Sequence, residues 1–146
     1  RPVGHGFTYS GHPASAAAGL ATLRLYTDGG LVANGQKAAA RFTQRLAGLK
    51  DHPLVGDIRA RGMLAGVELV TDKANRTKPD AGLKVGPRIT AEARKRGLIA
   101  RAIPHDDILG FAPPLTTTVG EAEEIAAIAG QAVSAVTDAL VREGAL

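Results

Sequence analysis

Two periods of apolar residues alternate along this 146-residue chain, and each predicts a different kind of element. Residues 1–12 (RPVGHGFTYSGH) follow neither period and are glycine-rich, which predicts a loop. Pro13 suits the first turn of a helix, where its missing N–H costs nothing. Over 14–26, Ala16, Leu20 and Leu23 stand at helical spacing among small residues, predicting a helix that packs closely on another element. Gly29-Gly30 ends it. A second helix is predicted over about 31–50, with Val32, Ala39, Phe42, Leu46 and Leu49 on one stripe and basic or amide residues opposite, until His52-Pro53 breaks it. In 63–70 the period becomes two: Met63, Ala65, Val67 and Leu69 alternate with Leu64, Gly66, Glu68 and Val70, a strand pattern. Residues 55–60 read as the strand before it, with Gly62 at the bend.

Residues 71–80 are polar and contain a proline, so they form a loop. The next helix is predicted over roughly 81–96, with Val85, Ile89 and Ala93 aligned, Pro87 at a kink or at the true start, and Gly97 as cap. Strands follow at 98–103 and 107–112, joined through Pro104-His105-Asp106-Asp107, whose carboxylates read as solvated. Thr118 and Glu121 have capping-box spacing and open a last helix with the stripe Ala122, Ile125, Ala129, Ala132, Val136 and Leu140. Short strands in pairs between helices predict an α+β fold: a small antiparallel sheet of about four strands with helices on one face.

Composition narrows the chemistry. Hydrophobic residues make 45% and charged residues 22% of the chain, ordinary globular values. Area scaling implies that roughly two-thirds of the unfolded surface is buried, enough for a core. No apolar run approaches the ~20 residues of a membrane helix, so a soluble, cytoplasmic protein without membrane partners is expected. With no cysteine, disulfides, zinc–thiolate sites and thiol nucleophiles are excluded, and the four histidines lack metal-ligand spacing, so no metal is expected. The net charge of +4 is dispersed and only five aromatics are present, so the basic face with stacking aromatics that nucleic-acid modules use is missing.

Two places could carry chemistry. Arg101 shares a strand face with Ile99 and Ile103. A guanidinium between two isoleucines either meets a carboxylate-bearing ligand in the bidentate geometry arginine favours, or reaches water from an edge strand. The loop His5-Gly6-Phe7-Thr8-Tyr9-Ser10-Gly11-His12 places glycines and hydroxyls just before a helix N-terminus. That pattern suits a phosphate cradle, although spacing alone favours an ordinary glycine-rich connection. Glu68 can pair with Arg59 or Arg61, and no lysine stands in the apolar context that Schiff-base chemistry needs. These residues alone make no complete active site.

Taken together, several segments resemble the C-terminal part of class III pyridoxal-phosphate-dependent aminotransferases, the ω-aminotransferase family. The stretch His5 to Pro13 (HGFTYSGHP) looks like that family's segment, and 59–69 (RARGMLAGVEL) resembles its R-G-x-G-L-x-x-G-x-E-L strand pair, with Ala60 where glycine is common. Ile99-Ala100-Arg101-Ala102 and Phe111-Ala112-Pro113-Pro114-Leu115 are similar to its arginine strand and APPL turn. The resemblance runs from about residue 4 to about residue 140. It implies the small C-terminal domain of a fold-type-I enzyme, with residues 1–30 as cofactor-phosphate loop and linker helix and 31–146 as the small domain. It implies that Thr8 and the backbone of Phe7 bind the phosphate of pyridoxal 5′-phosphate in the partner subunit of a homodimer. It implies too that Arg101 grips the carboxylate of a substrate, as in amine–pyruvate members, with an amine or ω-amino acid as donor and a keto acid such as pyruvate as acceptor. The Schiff-base lysine of the family has no match here, so the expectation is a portion of a longer enzyme, inactive alone and without catalytic residues of its own. The chain begins with Arg1 rather than Met, in keeping with that expectation. The competing readings are a freestanding α+β binding or dimerisation module and a same-fold aminomutase. An apolar face on the first helix is expected to be exposed, favouring self-association.

Overall fold

The structure, a computed structural model, describes residues 3–103 and 107–146. Helix α1 (Pro13–Thr27) and helix α2 (Leu31–Ala47) lead into a hairpin of strands β1 (Val55–Arg61) and β2 (Leu64–Leu69). After a polar loop come helix α3 (Val85–Lys95), strands β3 (Arg101–Ile103) and β4 (Ile108–Phe111), and the long helix α4 (Val119–Arg142). The four strands form one antiparallel sheet in the order β1-β2-β4-β3, so the α+β reading holds. The predicted Asp106 turn lies outside the described residues.

Period two decides which face of the sheet is buried. Ala65, Val67 and Leu69 of β2, with Leu109 and Phe111 of β4, point into the core and are at most 9% exposed. There they meet Phe42 and Leu46 of α2, Val85, Ile89 and Ala93 of α3, and the stripe of α4 from Ala122 to Leu140. Phe42 and Phe111 stack edge to face across this layer, with ring centroids 6.0 Å apart. By length and composition α4 could cross a membrane, but its apolar stripe is spent on this core. The capping box opens α4 as predicted: Glu121 N–H donates to Thr118 Oγ1, and Thr118 N–H to the Glu121 carboxylate.

Four expectations need correction. The α2 stripe runs through Gly35, Ala38, Ala39, Phe42 and Leu46, while Val32 is 43% exposed, outside the surface that α2 buries. Turns end that helix at Ala47, three residues early. Helix α3 begins at Val85 rather than near 81, with a separate turn over 81–83, so of the two readings of Pro87 the start of the helix holds and the kink does not. Strand β3 holds only three residues, because Leu98 and Ala100 run against the helix layer ahead of any ladder partner.

Helix α1 buries none of its residues, and Leu20, Leu23 and Leu25 are each more than half exposed, so its apolar face is open as expected, while the close packing its small residues predict is not made among the described residues. Its sequence favours a helix (a proline at its start, and His12 as N-cap accepting the Ser15 N–H), but no described element lies against its apolar side.

Candidate functional site

The face of the sheet turned away from the helices is open, and its register makes a site there. Arg59 pairs with Gly66, Gly66 with Gly110, and Gly110 with Arg101, so one rung across all four strands reads Arg-Gly-Gly-Arg. The two central positions carry no side chain, and an arginine rises at each edge strand. The flanking rung places Glu68, Ile108 and Ile103 on the same face. Ile103 leans over Gly110 so closely that a Cβ there would sit 3.3 Å from its Cδ1. The result is an open groove of about 810 Å³ with an apolar lining that includes Leu64, Ile99, Ile103, Phe111 and Pro113, edged by Arg59, Arg61 and Arg101.

The cations differ in what they are free to do. Arg59 is occupied: its Nη1 donates to Glu68 Oε2 at 3.0 Å and to Asp57 Oδ2 at 2.7 Å. The Glu68 hydrogen bond, with Asp57 adding to it, holds this guanidinium even more firmly protonated than usual. So Glu68 pairs with Arg59, a structural cross-strand bridge. Arg101 is exposed on its edge strand and has no hydrogen bond or ion pair among the described residues. The edge-strand position is compatible with both readings of Arg101, and among the described residues it leaves the guanidinium donors without a partner beside an apolar groove.

The proline turn closes one end of the groove, and α2 positions it. Asn34 Nδ2 donates to the carbonyls of Leu115 (2.7 Å) and Thr117 (3.0 Å), and the Thr117 N–H donates back to Pro114 O. Gly35 makes room here: a Cβ would lie 2.4 Å from Leu115 Cδ2, so any side chain would push the Leu115 side chain aside. Sequence reasoning missed both residues. Their signal, a small residue beside an amide in the first turn of an amphipathic helix, is visible only once the turn it serves is known.

The other predicted place is the loop before α1. Ser10 N–H donates to Phe7 O at 2.9 Å, and Phe7 N–H donates to Ser10 Oγ at 2.8 Å, closing a tight turn. The Phe7 amide is thus engaged within the loop, while the hydroxyl and amide of Thr8 have no partner among the described residues. Free donors on an exposed glycine-bounded loop fit a phosphate by their chemistry. Residues 3–12 do not line the groove, so the structure does not bring Thr8 and Arg101 together. No lysine lines the groove, and no cluster of potential metal ligands occurs among the described residues. The groove offers binding, without a nucleophile.

Comparison with known proteins identifies the family and matches the fold. The family described as Aminotransferase class-III matches residues 1–133. A diaminobutyrate–2-oxoglutarate transaminase of Halomonas elongata is 53% identical over 99% of this chain and 31% of its own length. A solved transaminase from directed evolution by ancestral reconstruction superposes with a TM-score of 0.89 at 51% identity, covering 95% of this chain and 31% of that one. The PMP-bound aminotransferase of Vibrio fluvialis gives a TM-score of 0.85 at 32% identity, over 94% and 30%. The chain spans about 30% of the length of these relatives.

Proposed function

This chain belongs to the class III aminotransferases, and from that premise we propose that it is the C-terminal portion of a pyridoxal-phosphate enzyme that moves an amino group from an amine or ω-amino acid to a keto acid. The observation that carries the reading is Arg101, a guanidinium without a partner among the described residues, beside an apolar groove floored by Gly66 and Gly110. A substrate carboxylate would meet its fork of donors while the carbon chain lies on the apolar lining. When bound, pyridoxal phosphate supplies the carbonyl that carries the amino group between donor and acceptor. The residues here that would hold it are Thr8, through hydroxyl and amide, and the backbone of the turn that Phe7 begins. That this loop does not line the Arg101 groove supports a homodimer in which each loop serves the partner's site. The reaction's covalent chemistry then belongs to residues outside this chain. The relative named for 2-oxoglutarate makes that keto acid an acceptor to assay beside pyruvate.

In the full-length enzyme, Arg101→Ala should raise KM for carboxylate-bearing substrates and affect simple amines far less. A charge-assisted hydrogen bond contributes about 1.5–3 kcal/mol, so the expected rise is roughly tenfold or more. Equal losses for both substrate classes would remove the clamp.

A further inference from the structure

Strand β3, which carries Arg101, is the weakest part of the sheet: three residues, an edge position, and β4 as its one neighbour. What sets its position lies at the start of α3. Lys84, the N-cap of that helix, makes no side-chain capping bond. Instead the Gly86 N–H donates to Asp107 Oδ1 at 3.1 Å, a cap supplied from the β3–β4 connection. The Asp107 carbonyl also accepts the Leu69 N–H at 3.0 Å, at the end of β2. Asp107 therefore ties together a helix start, a central strand and the hairpin that bears β3. It does so at φ +43°, in the left-handed region that aspartate and asparagine tolerate better than alanine. Gly86 completes the joint: a Cβ there would lie 3.1 Å from Ala102 Cβ and 3.1 Å from Asp107 Oδ1, so the bare glycine lets β3 press against the helix. Ala102 faces that helix, and alternation turns its neighbours Arg101 and Ile103 to the groove.

We propose that Asp107 is a positioning residue for Arg101: by capping α3 it clamps Ala102 against Gly86, and so fixes the direction in which the Arg101 side chain leaves the sheet. The proposal rests on the carboxylate-clamp reading of Arg101. Without the cap, the short edge strand keeps its ladder to β4 and its apolar contacts but loses the hydrogen bond that anchors the start of α3 beside it, and the aim of Arg101 is lost before the fold is.

The test compares Asp107→Ala, Asp107→Asn, Gly86→Ala and Arg101→Ala in the full-length holoenzyme, with an ω-amino acid and a simple amine of similar size as donors. Asp107→Ala is expected to raise KM for the ω-amino acid about tenfold, to leave its kcat and both constants for the simple amine within about twofold, and to speed amide exchange over 98–103. Asp107→Asn keeps an acceptor and tolerates the backbone, and should restore both readouts. Gly86→Ala, whose Cβ presses on both Ala102 and the Asp107 carboxylate while keeping the aspartate in place, should reproduce the same split; it decides the matter if Asp107→Ala fails to fold. Equal losses for both donors, or unchanged KM in both Asp107→Ala and Gly86→Ala, would overturn the proposal. If Arg101→Ala discriminates between donors and these variants do not, positioning alone fails. If Arg101→Ala does not discriminate, the clamp reading fails and the proposal goes with it.

Discussion

Asn34 gives the sharpest test of how the groove is built. Its amide nitrogen donates to two carbonyls, at 2.7 and 3.0 Å, and since both acceptors are carbonyl oxygens only the nitrogen can face them. Removing the amide in Asn34→Ala deletes two hydrogen bonds of about 1 kcal/mol each and leaves the carbonyl of Thr117, a buried residue, without its donor. The expected loss is about 2 kcal/mol, or a melting temperature lower by about 4–8 °C for a chain of this size. Asn34→Asp preserves the shape and inverts the chemistry, turning a carboxylate toward two carbonyl oxygens. At neutral pH it should destabilise more than alanine does. The folded state favours the protonated acid, which can donate, so the introduced carboxyl has a raised folded-state pKa. Its stability contribution is therefore present at low pH and lost as pH rises through that value. Urea unfolding of wild type and both variants at pH 7 and pH 4.5 would show the aspartate variant below the alanine variant at pH 7, with the gap narrowing in acid. An aspartate variant equal to alanine at pH 7, or a gap indifferent to pH, would refute the two-carbonyl geometry.

Three other outcomes are expected. Thr8→Ala should weaken retention of pyridoxal phosphate in the full-length enzyme by about 1.5–3 kcal/mol, read by cofactor titration; unchanged affinity would make Thr8 purely structural. Phe42→Ala removes a fully buried ring and its edge-to-face partner, and should cost about 3–5 kcal/mol in denaturant unfolding, whereas Val32→Ala on the exposed turn should cost under about 0.5 kcal/mol. Burial, and then the Lys73 charge, hold His52 below its usual 6.5 against the opposing pull of Asp138, and its Nδ1 accepts the Leu54 N–H. Its contribution is thus complete above pH 6.5 and lost as pH falls through the lowered value, so stability should decline from pH 7 to 5 in wild type and decline less in His52→Gln.

Where periodicity reports burial, the sequence is legible. The alternation of Ala65, Val67 and Leu69 became the buried face of β2, and Val85, Ile89 and Ala93 became the buried stripe of α3. The hairpin at Gly62, at φ +59°, was readable from one glycine between two alternating runs. Cross-chain relations were less accessible. That Arg59, Gly66, Gly110 and Arg101 fall on one rung depends on three registers, one of them shifted by the bulge between Val55 and Asp57. Arg101 stood out because charge interrupted an apolar pattern. Asp107 did not, since an aspartate in a turn is ordinary until its helix partner is known. For α1 the small apolar residues predicted packing, but they report only that a surface suits contact, and no described element supplies one.

The unbonded edges of the sheet carry a consequence of their own. An outer strand offers rows of free amides and carbonyls to which another polypeptide can add. Here β1, the longer outer strand, is bulged at Gly56 and alternates Asp57, Arg59 and Arg61, while β3 is too short to template a partner. The charges that frame the groove therefore also keep copies of the molecule from annealing strand to strand. Exchanging Asp57 and Arg59 together for valine would retain the hydrophobic layer beneath and yet leave a protein prone to precipitate, so these charges serve solubility even though Arg59 is already paired within the sheet.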